Sequence, residues 1–366
     1  MYKNVTIKIG SNVLTTNDGV LNEKCIAHLV DQMAYLKSKG VNILLVSSGA
    51  VASGRKIVSC HKRTDPVSSR QLWASVGQVK LIQSYSEFFE KHEILCSQVL
   101  VTKEDFRDRQ HFLNIRNCLE TLLEHSILPI INENDVVSVT ELMFTDNDEL
   151  AGLITSMMNS EAMIILSNVD GIYDGSPDDP ESKVIPVIES NYSAVNKFIT
   201  TTKSDLGRGG MINKFGMAKK VAMSGTPVHL VNGSRENILI EILENRPGLV
   251  QTYFTPGKKS STIKKWLAYS EINSKGEVHI NEGACKSLLS GKAASLLLIG
   301  VTSIKGDFMK GDIIKIIDHE ENLLGLGKSQ YNSDTASKKI GEKHTKPIIH
   351  YDYLYLKSYM DNKSQT

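Results

Sequence analysis

The stretch VSSGAVASGRK, residues 46–56, decides how this chain is read. It continues the apolar run ILLV at residues 43–46, so a strand of buried type ends in two serines and then in a string of glycine, alanine and serine. Residues this small let the backbone approach closely whatever lies against it. A turn from strand into helix is also where a phosphate or a carboxylate meets free backbone N–H groups. A tight turn under a closely packed helix would use the same residues, so the stretch by itself leaves both readings open.

Working outward, short β-rich runs alternate with helical stretches up to about residue 245. NVTIKIG precedes the helix-like NEKCIAHLVDQMAYLKSKG, and VNILLVSSG follows it. In that helix Ile26, Leu29, Val30, Met33 and Leu36 recur at the 3.6-residue period, and Gly40 marks its stop. Further strands are expected at ILCSQVLV, LPIINEN, AMIILSN and PVHLVNG, with helical stretches such as RQHFLNIRNCLETLLEHS between them. Strand, crossover helix and strand again predict an α/β fold, a mostly parallel sheet sandwiched by helices. The texture changes after residues 244–266, whose Pro, Gly, Lys and Ser read as a linker. Beyond it, short strands and repeated turn signals such as KGD predict a small C-terminal β-barrel with one or two helices. The expected division is a first domain over 1–246, a linker over 247–274, a barrel domain over 275–353 and a polar tail over 354–366.

Composition narrows the classes. A chain of 366 residues suggests two domains. A formal net charge of +1 gives no field that would draw nucleic acid or membrane. Five dispersed cysteines without a CxxC pair read as reduced thiols, mostly buried. The β-rich start lacks the apolar core of a secretory signal, and no apolar run approaches a membrane span. A cytoplasmic location is the expectation.

Four stretches carry chemistry. In IKIGSN, Lys8 sits on a strand that runs straight into a glycine turn at Gly10, where an ammonium can reach a phosphate. Ser47, Ser48 and Gly49 close the next strand, and ligands of open α/β sheets lie at such carboxyl ends. In NENDVVSVTELMFTDNDELAG, residues 132–152, Asn132, Asn134 and Asp135 follow a strand, and Asp146, Asn147 and Asp148 open a helix. One Asp would suffice as a cap; two clusters exceed that need and suit the charged ends of an amino acid. In GRGGMINK, residues 207–214, a glycine-rich loop ends in Lys214. It does not match the Walker pattern, but its logic is that of a phosphate-binding loop. Lys8 and Lys214 together would neutralise a transferring phosphoryl group.

With KIGSNVL, VSSGAVASGR, VGQ, NIRN, PIINENDVV, DNDELAG, DGIYD, GRGGMINK and YNSD in this order along nearly the whole chain, the sequence resembles the glutamate 5-kinases of the amino acid kinase family. Its C-terminal part is similar to the PUA domain that many bacterial members carry. The resemblance implies ATP- and Mg²⁺-dependent phosphorylation of the γ-carboxylate of L-glutamate to γ-glutamyl phosphate, the first step of proline biosynthesis. It implies catalytic roles for Lys8, Lys214 and Asp148, with the carboxylate organising the two lysines. Ser48, Gly49, Asn132, Asp135, Asp146 and Asn147 would bind glutamate. Lys8, Gly10, Ser167, Asn168, Arg208, Gly209, Gly210, Met211, Ile212, Asn213 and Lys214 would contact ATP, and Mg²⁺ would arrive with ATP rather than on a protein side chain. It further implies a homo-oligomer, feedback inhibition by proline acting through residues 138–146, and glutamate-5-semialdehyde dehydrogenase as a partner taking the labile product.

The chain departs from the family pattern in having Ser167–Asn168 for Thr-Asp, Gln251 for a glycine, and Arg208 for a small residue. Two alternatives stand beside the glutamate 5-kinase reading. Another member of the family would keep the lysines and glycine loops but change the substrate loops, and the NENDVV and DNDELAG pair argues against it. RNA binding through the PUA-like part is the other. Residues 275–346 hold eleven lysines against nine acidic residues, and no arginine follows Arg246, so RNA is not the expected partner.

Overall fold

The computed structural model describes residues 2–16, 18–60, 64–106, 109–138, 147–177, 179–189, 210–258, 274–290, 294–343 and 345–356. The chain divides into two compact units, Met1–Lys259 and Ser260–Thr366.

In the first unit, β1 (Asn4–Ile9) leads through the single turn α1 (Ser11–Leu14) to α2 (Glu23–Ser38) and β2 (Asn42–Val46). Two helices follow, α3 (Ala50–Ile57) and α4 (Pro66–Glu90), then β3 (Cys96–Val101), α5 (Arg109–Glu124) and β4 (Leu128–Glu133). Next come α6 (Asn147–Met157), β5 (Ala162–Ser167), β6 (Val187–Ile188), α7 (Gly210–Met223), β7 (Val228–Asn232), α8 (Ile238–Leu243) and β8 (Thr252–Phe254). The strands form one eight-stranded sheet in the order β3-β4-β2-β1-β5-β7-β8-β6. From β3 to β7 every pairing is parallel, and β8 lies antiparallel to β7.

The period-two alternation of β1 divides its side chains between the two faces. Val5, Ile7 and Ile9 enter a core with Ile26, Leu29 and Met33 of α2, Leu81, Tyr85 and Phe89 of α4, and Ile238 and Ile242 of α8. Thr6 and Lys8 face the other way: the Thr6 hydroxyl lies 2.8 Å from Ser160 Oγ, and α6 packs on this side with α7 beyond it. The apolar stripe expected on α2 is the buried face of that helix. Each helix covers a strip of sheet that water would otherwise wet, and burial of these side chains is the main stabilising term.

α4 is a 25-residue helix that none of the sequence expectations included. Its start is nonetheless written in the chain. Asp65 accepts hydrogen bonds from the N–H groups of Val67 and Ser68, both at 3.0 Å, and Pro66 occupies the first turn.

β8 lies inside the stretch expected to be a linker. Thr252 and Phe254 are fully buried, and the Thr252 hydroxyl both accepts from the N–H of Ile172 and donates to the carbonyl of Ile185. Residues 259–273 of that stretch lie outside the described residues. Gln251, one of the departures from the family pattern, accepts a 2.8 Å hydrogen bond with the buried His229 ring. A chain ended after residue 246 therefore loses the strand that seals β7 and β6. It is expected to unfold at lower urea than one ended after residue 259, read by circular dichroism, and equal midpoints would show that β8 adds nothing.

The second unit holds β9 (Gly276–Ile280), α9 (Glu282–Leu289), β10 (Val301–Lys305), β11 (Ile313–Ile317), β12 (Leu323–Ser329), α10 (Ser333–Lys338) and β13 (Ile349–Leu356). Its sheet has the order β10-β9-β11-β12-β13, antiparallel except for β9 with β11. Its core is its own: Val278, Leu288, Phe308, Ile314, Leu326 and Ile349. The expected polar tail begins too early, because Leu354 is buried and Leu356 pairs with Gly325 in β13. The cysteines also differ from expectation: Cys285 is buried, Cys25, Cys60 and Cys96 are half-buried, and Cys118 is exposed. Among the described residues no helix is long and apolar enough to cross a membrane.

Candidate active site

The registers of four adjacent strands put the site in one row. Lys8 of β1 stands beside Val46 of β2 and Ile165 of β5, and Val46 stands beside Ile131 of β4. One position further on stand Ser47 after β2 and Asn132 in β4, so with Lys8 these polar groups emerge together at the carboxyl edge of the sheet. This is the edge at which doubly wound sheets hold ligands.

Two clusters meet there, joined by consecutive residues at the start of α6. The first is ionic. Lys8 Nζ lies 2.7 Å from Asp148 Oδ1, and Lys214 Nζ lies 3.0 Å from Asp148 Oδ2. The Asp148 side chain is 0% exposed, Lys8 4% and Lys214 16%, so the carboxylate is sealed beneath two ammonium groups and Lys214 is the one that reaches the opening. Burial by itself would raise the Asp148 carboxyl pKa. The charges and hydrogen bonds of Lys8 and Lys214 outweigh burial and leave it below the ordinary carboxylate value. A depressed carboxyl contributes stability that is present above the unfolded-state value and is lost only as pH falls through the folded one, so the cluster stays ionised at neutral pH. Two ammonium groups on one carboxylate leave a net positive charge aimed out of a low-dielectric pocket.

The second cluster is neutral. Asn147 Nδ2 lies within donating distance of the Ser47 carbonyl (2.7 Å), Asn132 Oδ1 (2.9 Å) and Ser48 Oγ (3.0 Å). Asn132 Oδ1 also accepts from the N–H of Glu133 at 2.9 Å, which fixes its amide orientation and turns Asn132 Nδ2 toward Gln78 Oε1 at 2.8 Å. The buried Tyr85 hydroxyl, its pKa pushed up by burial, lies 3.0 Å from Ser47 Oγ and braces the strand end from α4. Gly49 then turns the chain at φ +98°, a conformation open to glycine, and α3 begins. The packing reading of VSSGAVASGRK is seen directly, since the small residues let α3 lie against α4, and the serines before them meet Asn147 at the sheet edge.

At Gly10 the N–H donates to the Leu166 carbonyl at 3.0 Å, and a Cβ would stand 3.2 Å from that oxygen and 3.7 Å from Lys8 Nζ. The turn therefore sits directly beside the ammonium. Ser167 is buried at the end of β5 and Asn168 is exposed beside it. Two residues further on, Asp170 accepts from Asn232 Nδ2 at 3.1 Å and Arg235 Nε at 2.9 Å, which puts a paired carboxylate at this end of the sheet. Gly210 opens α7, and Met211 and Asn213 are half-buried in its first turns. Asp146, Arg208 and Gly209, and the side chain of Ile212, lie outside the described residues.

Asp135 does not join either cluster. It pairs with Arg70 of α4, whose Nη2 and Nε lie 2.8 and 3.1 Å from the same oxygen, Oδ1. Neither Arg70 nor Gln78 was expected in the site. The cap at Asp65–Pro66 predicts a helix after it, but no local pattern shows that its side chains reach residues more than fifty positions away.

Residues 3–232 match the Amino acid kinase family and residues 276–351 match the PUA domain. A glutamate 5-kinase of Bacteroides thetaiotaomicron is 50% identical over 97% of this chain and 99% of its own length. The chain belongs to the amino acid kinase family, among the glutamate 5-kinases. One from Chlorobaculum tepidum is 45% identical over 97% of this chain and 98% of its own length. The isopentenyl phosphate kinase of T. acidophilum, crystallised as a product complex, covers 68% of this chain and 99% of its own at a TM-score of 0.50 and 15% identity, a likeness of fold. The mostly parallel sheet between helices and the separate C-terminal domain are those of the family. Kinase membership brings ATP as the phosphoryl donor.

Proposed function

We propose that this chain transfers the terminal phosphoryl group of ATP to the γ-carboxylate of L-glutamate, giving γ-glutamyl phosphate for proline biosynthesis. The observation that carries this is the buried Lys8–Asp148–Lys214 cluster, set edge to edge with the Ser48–Asn147–Asn132 cluster in a chain whose relatives are glutamate 5-kinases.

A carboxylate with a reference pKa of about 4.3 is already the nucleophile at pH 7. No side chain has to remove a proton, and the barrier lies in bringing one anion up to another. Lys8 and Lys214, held in place by Asp148, meet the charge of the transferring group without reorganising at the moment of reaction. The opening of α7 adds N–H donors on the same side. Asp148 acts as the strut of both lysines: its two oxygens are occupied by them and have no proton to exchange.

Magnesium would come with the triphosphate, as the family resemblance implies. When bound it would neutralise phosphate charge. The chain's own contribution is the two lysines.

Asn147, Ser48 and Asn132 form the glutamate side, and Asp135 takes the substrate ammonium. Proline shares the α-carboxylate and the cationic nitrogen of glutamate but lacks the γ-carboxylate, so it would compete at this amino-acid end without being phosphorylated. The segment expected to tune that response is residues 138–146; Ser138 is buried, and residues 139–146 lie outside the described residues.

Incubation with glutamate, ATP and hydroxylamine tests the proposal, since an acyl phosphate is trapped as the hydroxamate. Absence of glutamate-dependent hydroxamate would refute it. Asn147→Ala is expected to raise the glutamate KM at least tenfold while the ATP KM changes little. A rise in the ATP KM instead would mean that the two ends of the site are reversed.

A further inference from the structure

The substrate proposed above carries three charges, and the residues so far assigned meet two of them. Lys8 and Lys214 face the reacting end, and Asp135 meets the ammonium. The α-carboxylate has no cation, and it would sit one carbon from an ammonium held by an aspartate. An unmatched carboxylate beside Asp135 is repelled by it, and a site that leaves a charge unmatched loses both affinity and selectivity.

Arg70 stands at that place. Its Nε and Nη2 both reach Asp135 Oδ1, at 3.1 and 2.8 Å. This uses the side edge of the guanidinium. The end-on fork of Nη1 and Nη2 makes no hydrogen bond to another described residue, and the side chain is 43% exposed, so the fork is open to a ligand. Asp135 is 8% exposed and also keeps Oδ2 without a described partner. A planar fork is the geometry that matches a carboxylate by two parallel hydrogen bonds. The pair is held from below: Gln71, the next residue of α4, donates to the Val136 carbonyl at 2.7 Å and ties the helix to the loop that carries Asp135.

We propose that Arg70 and Asp135 form a paired-charge clamp for the α-carbon end of the amino acid, with the open fork of Arg70 taking the α-carboxylate while Asp135 Oδ2 takes the α-ammonium. An α-amino acid presents those two charges on one carbon, and the protein presents their opposites side by side at 2.8 Å. Arg70 is thus a binding and selectivity residue: it favours substrates that bear a carboxylate next to the ammonium. The clamp rests on the glutamate kinase reading.

The test compares glutamate with 4-aminobutyrate, which keeps the ammonium and the reacting carboxylate but lacks the α-carboxylate. Arg70→Met is expected to lower kcat/KM for glutamate by about tenfold to a hundredfold, the scale of losing one or two charge-assisted hydrogen bonds. For 4-aminobutyrate the change should stay within about threefold, read as turnover or, where turnover is too slow, as its inhibition constant against glutamate. Arg70→Lys, which keeps the charge without the fork, should recover part of the loss. If Arg70 serves merely to orient Asp135, both molecules suffer alike, because both carry the ammonium, and that result would overturn the clamp. Failure of the unaltered chain to form hydroxamate from glutamate would instead overturn the proposed activity, so the two failures are distinguishable.

Discussion

Lys214→Ala is expected to lower kcat for glutamate-dependent acyl phosphate formation by about 10²-fold or more, the usual scale for removing one preorganised electrostatic donor. The glutamate KM should move far less, because the lysine meets charge that develops on the transferring group rather than charge already on the substrate. Lys214 suits this test better than Lys8. Its side chain is 16% exposed against 4% for Lys8, so alanine leaves a gap that water can enter. Asp148 also keeps its 2.7 Å contact with Lys8 in that variant. Lys8→Ala should slow the reaction similarly but also unfold more easily. It takes the closer counter-ion from a carboxylate with no exposure and leaves that carboxylate the longer 3.0 Å contact with Lys214. Hydroxamate assays paired with thermal melts separate the two effects. A folded Lys214→Ala protein with unchanged turnover would remove the lysine cluster from the chemistry.

What the sequence made legible follows from distance along the chain. Lys8, Ser48, Asn132 and Asn147 each sit within two residues of a strand end or at a helix start, so their position relative to the sheet edge can be read from local pattern. The parallel sheet was legible for the same reason, since β2 and β5 are short apolar runs set between helical stretches. β8 was not. Its three residues lie among Pro, Gly and Lys, and composition there outweighs the alternation by which Thr252 and Phe254 turn inward and Tyr253 outward. Arg70 was not legible either. It stands 65 positions from Asp135, on a helix whose burial pattern is weak along its exposed face, and contacts of that span depend on how α4 is laid across the sheet. At the departure Ser167–Asn168 the structure shows a buried Ser167 closing β5 and an exposed Asn168, while Asp170, part of the DGIYD motif, is engaged by Asn232 and Arg235.

The largest structural effect is expected from a methyl group. α3 and α4 touch backbone to backbone at two glycines. A Cβ on Gly77 would fall inside contact distance of the Ala50 carbonyl oxygen, and one on Gly54 would do the same to the Trp73 carbonyl oxygen. Neither neighbour is the end of a flexible side chain, so the helices themselves must separate. Overpacking a fitted core costs about 1–3 kcal/mol and sometimes more; with main chain on both sides Gly77→Ala belongs at or above the upper end. The displacement also has a direction. Ala50 is the first residue of α3, one position after Gly49 and two after Ser48, whose Oγ lies 3.0 Å from Asn147. Moving α3 off α4 therefore pulls Ser48 away from Asn147, and the next residue of α4, Gln78, loses its hold on Asn132. Gly77→Ala should lower the urea midpoint and raise the glutamate KM several-fold, while the ATP KM, set by Lys8, Lys214 and α7 on the other side of the row, changes less. Gly216→Ala is the control: beyond its own helix no described residue lies within 4 Å of its Cβ position in the interior of α7, so the same methyl should be neutral or add up to about 1 kcal/mol. A Gly77→Ala protein with an unaltered midpoint and glutamate KM would mean that α3 and α4 can part without moving the serines, and that the small residues of VSSGAVASGRK do not couple packing to the site.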